Sequence, residues 1–286
     1  MSAVSAGVPP KDFSVDRPLP PGRYGPAGLL RAEWTKLRSV RSTMWTLVVT
    51  VLAVVGIGAV ATAVTAAHWN SGGPVERFGF DPTQRSLAGL FLGQIAIGVL
   101  GVLAVSAEFS SGTIRATFAA APHRTLVLVC KTVVFGLVAL VTSEVLTFAA
   151  FELGQQLLKG TTPYATLGQP GVLRAVAGAG LVLTVMGLFA LGLATIIRHT
   201  AGALATYVGL LLVLPLIIQA FPASFQQAVL RYMPLVIAEH MATTRLTAGA
   251  FGGGSLLSPW VGFAALCGYT LAALVIGAVL LNRRDA

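Results

Sequence analysis

The stretch AEFSSGTIRATFAAAPHR, Ala107 to Arg124, interrupts a chain that is otherwise apolar on both sides of it. SLAGLFLGQIAIGVLGVLAVSA (Ser86 to Ala107) leads into it, and TLVLVCKTVVFGLVALVTSEVLTFAAF (Thr125 to Phe151) follows. Crossing about 30 Å of hydrocarbon takes roughly 20 mostly apolar residues in a helix, and each flank is long enough. The stretch itself is too short and too polar to cross anything. It therefore reads as a link at which the chain leaves a bilayer, turns and goes back in.

The rest of the sequence agrees with a membrane protein. Apolar residues make up 55% of it, charged residues 10%, and the mean hydropathy is +0.82. A soluble domain carries roughly a quarter charged residues, so this chain cannot cover itself with a water-compatible surface. Six runs qualify as spans, at about 45–67, 87–107, 126–151, 172–197, 200–221 and 258–281. Only RHT (Arg198 to Thr200) separates the fourth from the fifth, but 172–221 as one helix would measure about 75 Å, so two spans and a tight turn are expected. The fold class is all-α: six transmembrane helices, an N-terminal amphipathic interface helix, and a short cytoplasmic helix in the link.

The net charge of +9 does not point to nucleic acid, because the basic residues sit beside apolar runs and suit anionic lipid headgroups. Cys130 and Cys267 lie within apolar runs on different spans and imply no disulfide framework. Residues 1–25 hold five prolines (9, 10, 18, 20 and 21) and no apolar core, which reads as a disordered cytoplasmic tail rather than a signal peptide. With the N-terminus inside, the cytoplasm receives the seven basic residues from Lys11 to Arg41, then Arg115, Arg124, Lys131, Arg198, Arg283 and Arg284. Only six of the 19 remain outside. The positive-inside bias thus puts both termini in the cytoplasm.

Residues 26–44 read as the interface helix, with Leu30, Trp34, Leu37 and Met44 in one stripe, flanked by Arg31, Lys36 and Arg38. Glu33 and Arg41 intrude on that stripe. Outside, Trp69, Phe78 and Phe80 suit a headgroup belt. The long fifth loop, 222–257, pairs an apolar segment able to dip back toward the bilayer with a Gly-rich tether.

Within the link, Ser110 or Ser111 can cap a helix, Gly112 loosens its start, and residues 113–120 make about two turns before Pro122 stops them. Ile114 and Phe118 share one face, able to rest on the membrane or on neighbouring spans, while Thr113, Arg115 and Thr117 point elsewhere. Glu108 falls at the membrane edge and needs a cationic neighbour, for which Arg115, Arg124 and Lys131 are at hand.

With EFSSGTIRAT, PHR and Lys131 in this order, the chain resembles the membrane subunits of type-2 (ABC-2-type) ATP-binding-cassette exporters, closest to a permease group of high-GC Gram-positive bacteria. The likeness also takes in RAEWTKLRSVRST, GQPGVLRAV and IIRHTAGALATYVGLLLVLP, most of the chain. It implies that Glu108, Gly112, Thr113, Arg115, Thr117 and Arg124 belong to a coupling link whose helix docks on a separate ATPase subunit. Pro122 and Lys131 match its exit into the third span. It further implies an elbow role for residues 26–44, short capping helices in the fifth loop, and a central cavity faced by spans two and five. The partners would be the ATPase, a second permease copy and membrane lipid.

The chain has no Gly-Lys dipeptide, hence no P-loop, so ATP and magnesium would bind on that partner and no cofactor on this chain. It has no H-E-x-x-H, its histidines are scattered, and its aspartates lie in tails or a loop, leaving no metal or catalytic set. Candidates for a substrate path are Gln94, Glu144, Thr206, Tyr207 and Gln219; each is equally able to bond a neighbouring helix. Glu144, alone among the carboxylates well inside a span, has Arg174 as a possible partner. A secondary transporter or membrane-embedded module working without an ATPase is the alternative, although no internal repeat supports it and only Pro215 breaks a span sharply.

Overall fold

In the computed structural model, residues 25–39, 41–71, 73, 77, 79–120, 123–244 and 256–284 are described. The expected N-terminal tail, Arg115's side chain, Pro122, Phe78 and the Gly-rich tether of the fifth loop lie outside the described residues. Of those described, 82% are helical and none is in a strand, and six helices are long and apolar enough to cross a membrane, as in a multi-pass membrane protein.

Helix α1 is Pro26–Ser39. The first span joins α2 (Arg41–Val51), a π turn at Leu52–Gly56, and α3 (Ile57–His68). A five-residue helix, α4 (Pro82–Ser86), precedes the second span, α5 (Leu90–Ser110). The link helix is α6 (Thr113–Ala120), the third span α7 (Arg124–Leu158), and the fourth α8 (Val172–Ile197). The fifth span joins α9 (Thr200–Val208), a second π turn at Gly209–Val213, and α10 (Leu214–Ile218). Short helices α11 (Ala223–Leu230) and α12 (Pro234–Met241) lead to the sixth span, α13 (Pro259–Arg284).

The spans fall close to their expected places. The fourth and fifth are separate: Arg198 ends α8 in the left-handed region at φ 61°, and His199 caps α9 by accepting the Gly202 amide at 3.3 Å. The second π turn lies directly before Pro215, whose missing amide breaks the regular ladder at that point. One difference is length. At 35 residues α7 runs about 52 Å, about two turns past the end of the expected 126–151.

Spans two and four form the centre, with 61% and 67% of their most apolar stretches buried, against 28% for spans one, five and six. Glycine makes that centre possible. A Cβ on Gly101 would lie 2.2 Å from the Gly187 carbonyl oxygen, so α5 and α8 touch backbone to backbone. Gly89 meets the first span in the same way, 2.2 Å from the Val54 oxygen in the first π turn. Core side chains such as Ile97, Leu100, Phe135, Leu183, Met186 and Leu191 fill the remaining space.

The bundle has two distinct ends. Helix α1, the link, the Arg198–His199 turn and the C-terminal end of α13 gather at one, here the near end. Helices α4 and α12 and the α7–α8 loop gather at the far end.

Candidate functional site

Four charged side chains from three helices close a ring at the near end. Lys36 of α1 donates to Glu33 Oε1 (2.8 Å) and to Glu108 Oε1 (2.9 Å), the latter in the last turn of α5. Lys131, two turns into α7, donates to Glu33 Oε2 (2.5 Å) and Glu108 Oε1 (2.8 Å). Two carboxylates and two ammoniums leave the ring formally neutral. The side chains of Glu33, Lys131 and Glu108 are only 5%, 7% and 12% exposed, so most of the ring is withdrawn from water and depends on its own pairing. Lys36 is 40% exposed. Burial alone would lower its pKa, but the hydrogen bonds and charges of Glu33 and Glu108 outweigh that and raise it above the ordinary lysine value.

Of the cations within reach of Glu108 in the sequence, Lys131 pairs with it. Arg124 turns instead to the end of α13, donating to the Leu281 carbonyl at 3.4 Å and stacking over Phe118 at 5.5 Å. Arg198 does likewise, donating to the Leu280 carbonyl at 3.1 Å and lying 5.4 Å over Phe109. Both guanidiniums thereby satisfy carbonyls in the last turn of a helix, where cations are favoured.

The link leaves α5 through Ser110 and Ser111. Both hydroxyls donate back to the Ala107 carbonyl (3.1 and 2.7 Å), in the last turn of the helix they leave. Gly112 takes a left-handed φ of 71°, which turns the chain into α6. Thr113 shares a 2.9 Å hydroxyl contact with Ser111, and Thr117 bonds back to the Thr113 carbonyl at 3.2 Å. Ile114 and Phe118 are half-buried and, with Phe109, Arg124 and Arg198, line a groove of about 950 Å³ beside the link.

The residues proposed for a path do not all meet. Tyr207 and Gln94 are brought together in the interior: the tyrosine hydroxyl donates to the Gln94 carbonyl at 2.8 Å, and its ring occupies the space beside Gly98. Thr206 is exposed and bonds within its own helix to Gly202. Gln219 is exposed and receives Gln226 through its carbonyl. Glu144 is half-buried against Gly180. Arg174 is not its partner. That guanidinium donates to the Met241 and Thr243 carbonyls (3.3 and 2.7 Å), at and just beyond the end of α12.

Sequence reading missed three contributors. Glu33, taken as an intruder on the apolar stripe of α1, is that helix's one buried residue among those described, while Trp34 of the stripe is 52% exposed. Lys36 was read only as a flank of the stripe. Asp81 looked like an ordinary loop aspartate. It caps α4 by accepting the Thr83 and Gln84 amides, and its other oxygen takes both the amide and hydroxyl of Thr244 after α12. A lone carboxylate on an apolar stripe, with an unmatched lysine in a nearby span, was the one available signal for the ring.

No protein-family model matches the chain, and no curated protein is significantly similar to it.

Proposed function

We propose that the chain is the membrane-spanning permease subunit of an ATP-binding-cassette exporter of the type-2 class, working with a separate ATPase subunit. The observation that carries this reading is the ionic ring. It fastens the interface helix, the end of span two and the start of span three to one another, immediately beside the short link helix α6. A body pushing on α6 would move three elements together rather than bend a loop. Both termini and the link would face the cytoplasm, and a second permease copy would complete the path in the cell membrane.

In this reading ATP and magnesium bind on the partner, and this chain supplies the path and the surface that is pushed. Closure of the ATPase pair shifts α6, the ring passes that shift to spans two and three, and the membrane part alternates between inward and outward openings. The groove beside α6 gives a partner side chain an apolar floor with two arginines at its edge.

The test is purification from the native host with mass spectrometry and an ATPase assay on the eluate. A stoichiometric P-loop ATPase should co-purify. In proteoliposomes, the variants Glu108→Ala and Arg115→Glu should leave ATP hydrolysis running while transport falls. A clean preparation that moves solute without any ATPase would overturn the reading.

A further inference from the structure

The far end holds a second cavity, of about 750 Å³, between α3, the start of α5 and α12. That is the size of a site for a drug-sized molecule. Much of its wall is apolar. Val64, Phe91 and Leu235 line it, and the first two are 54% and 42% exposed, so they carry the cavity to the molecular surface.

Two polar groups on this wall lack a partner among the described residues. Gln94 stands one turn below Phe91 and is 1% exposed, yet its amide oxygen has no hydrogen-bond partner. Left in that state the acceptor is costly, and a hydrogen-bond donor brought against it from the cavity would recover that cost. Arg85 also lines the cavity and is exposed, and its guanidinium makes no hydrogen bond or ion pair among the described residues. The other charges there are already engaged. Asp81 takes four hydrogen bonds, Arg77 donates to the Trp69 and Asn70 carbonyls, and Glu239 has its own partner.

The geometry points to a binding site for an amphiphilic anion. Its apolar body would lie against Val64, Phe91 and Leu235, an N–H or O–H group would donate to Gln94 Oε1, and its anionic group would meet Arg85. Trp69 on the same wall makes occupancy visible. The site does not depend on the exporter reading, since it is a property of this chain alone.

The probe is 8-anilinonaphthalene-1-sulfonate, which combines a naphthalene and a phenyl ring, one N–H and one sulfonate. The full chain would be placed in phosphatidylcholine nanodiscs without any ATPase, and energy transfer from tryptophan to the probe measured against empty nanodiscs. Transfer should saturate at one probe per chain, and its larger part should vanish in Trp69→Phe. The same-sized Gln94→Leu should weaken binding about fivefold, the loss of one hydrogen bond. Arg85→Gln, a surface change that leaves the fold alone, should weaken it similarly and remove its dependence on salt. Saturable transfer that is absent, or unchanged in both Gln94→Leu and Arg85→Gln, would overturn the site.

Discussion

Lys131 holds two carboxylates at once, and it is almost fully buried. Replacing it with methionine leaves both to the half-exposed Lys36 alone, so Lys131→Met should cost up to about 3–5 kcal/mol in thermal unfolding in detergent, the range for breaking a buried pair from one side. Lys36 makes the same number of ion pairs from a side chain exposed to water, and Lys36→Met should cost no more than about 1 kcal/mol. The double variant Glu33→Gln/Lys131→Met should lose less than the sum of its parts, because the two share one network. Because the folded state raises the Lys36 pKa, the ring's contribution from that residue is complete below about pH 10.5 and fades as pH climbs through the raised value. His240 at the far end has the opposite sign. Burial pushes its imidazole below the ordinary value and the Arg174 charge adds to that, against a hydrogen bond with the Leu257 backbone. Stability from a neutral His240 is therefore present above about pH 6.5 and lost as pH falls toward the lowered folded value, and His240→Gln should flatten the melting temperature between pH 7.5 and 5. At this scale the sequence disclosed that Glu108 needed a cation and offered Lys131 among three. It could not disclose Glu33, because a helical wheel ranks a carboxylate as solvent-facing until its buried partner is placed beside it.

The spans themselves were legible as elements, since hydropathy and length alone decide whether a segment crosses hydrocarbon. Their irregularities were not. The first π turn follows from the way Gly89 backs onto Val54, a contact made between residues 35 apart that no local pattern encodes. The extra length of α7 was hidden because Glu152, Gln155 and Gln156 look like the start of a loop, whereas Gln155 is buried and fully used. Glycines in the spans differ sharply in what they tolerate. Gly101→Ala forces α5 off the backbone of α8 and should destabilise by about 1–3 kcal/mol, since a carbonyl cannot rotate aside. Gly268→Ala, with nothing within 4 Å of the added carbon, should be neutral or slightly stabilising in the same melt. In the link, Gly112→Ala meets open space but an unfavourable φ, so about 1–2 kcal/mol of local strain should appear as faster hydrogen exchange in 111–120, with the melting of the bundle little changed.

Across the whole molecule, the two ends are tied by different chemistry, ion pairs at the near end and hydrogen bonds at the far end. Gln155 takes the Ala165 amide at 2.7 Å and donates to the Pro82 carbonyl and the Ser86 hydroxyl at 3.0 and 2.8 Å. Gln155→Leu should therefore raise hydrogen exchange in 82–89 and 159–166 while the four-residue ring and α1 keep their protection; equal loosening at both ends would show that the far end is not an independent clasp. Gln155 and Lys131 stand on the same unbroken helix, 24 residues or about 36 Å apart. In the exporter reading, a rod of that length, gripped at both ends, would serve as a lever arm. Tilting it by about 10° would sweep one grip about 6 Å relative to the other. Torque applied beside Lys131 would then reach α4 as a share of that sweep, carried by a helix that is unbroken from one grip to the other.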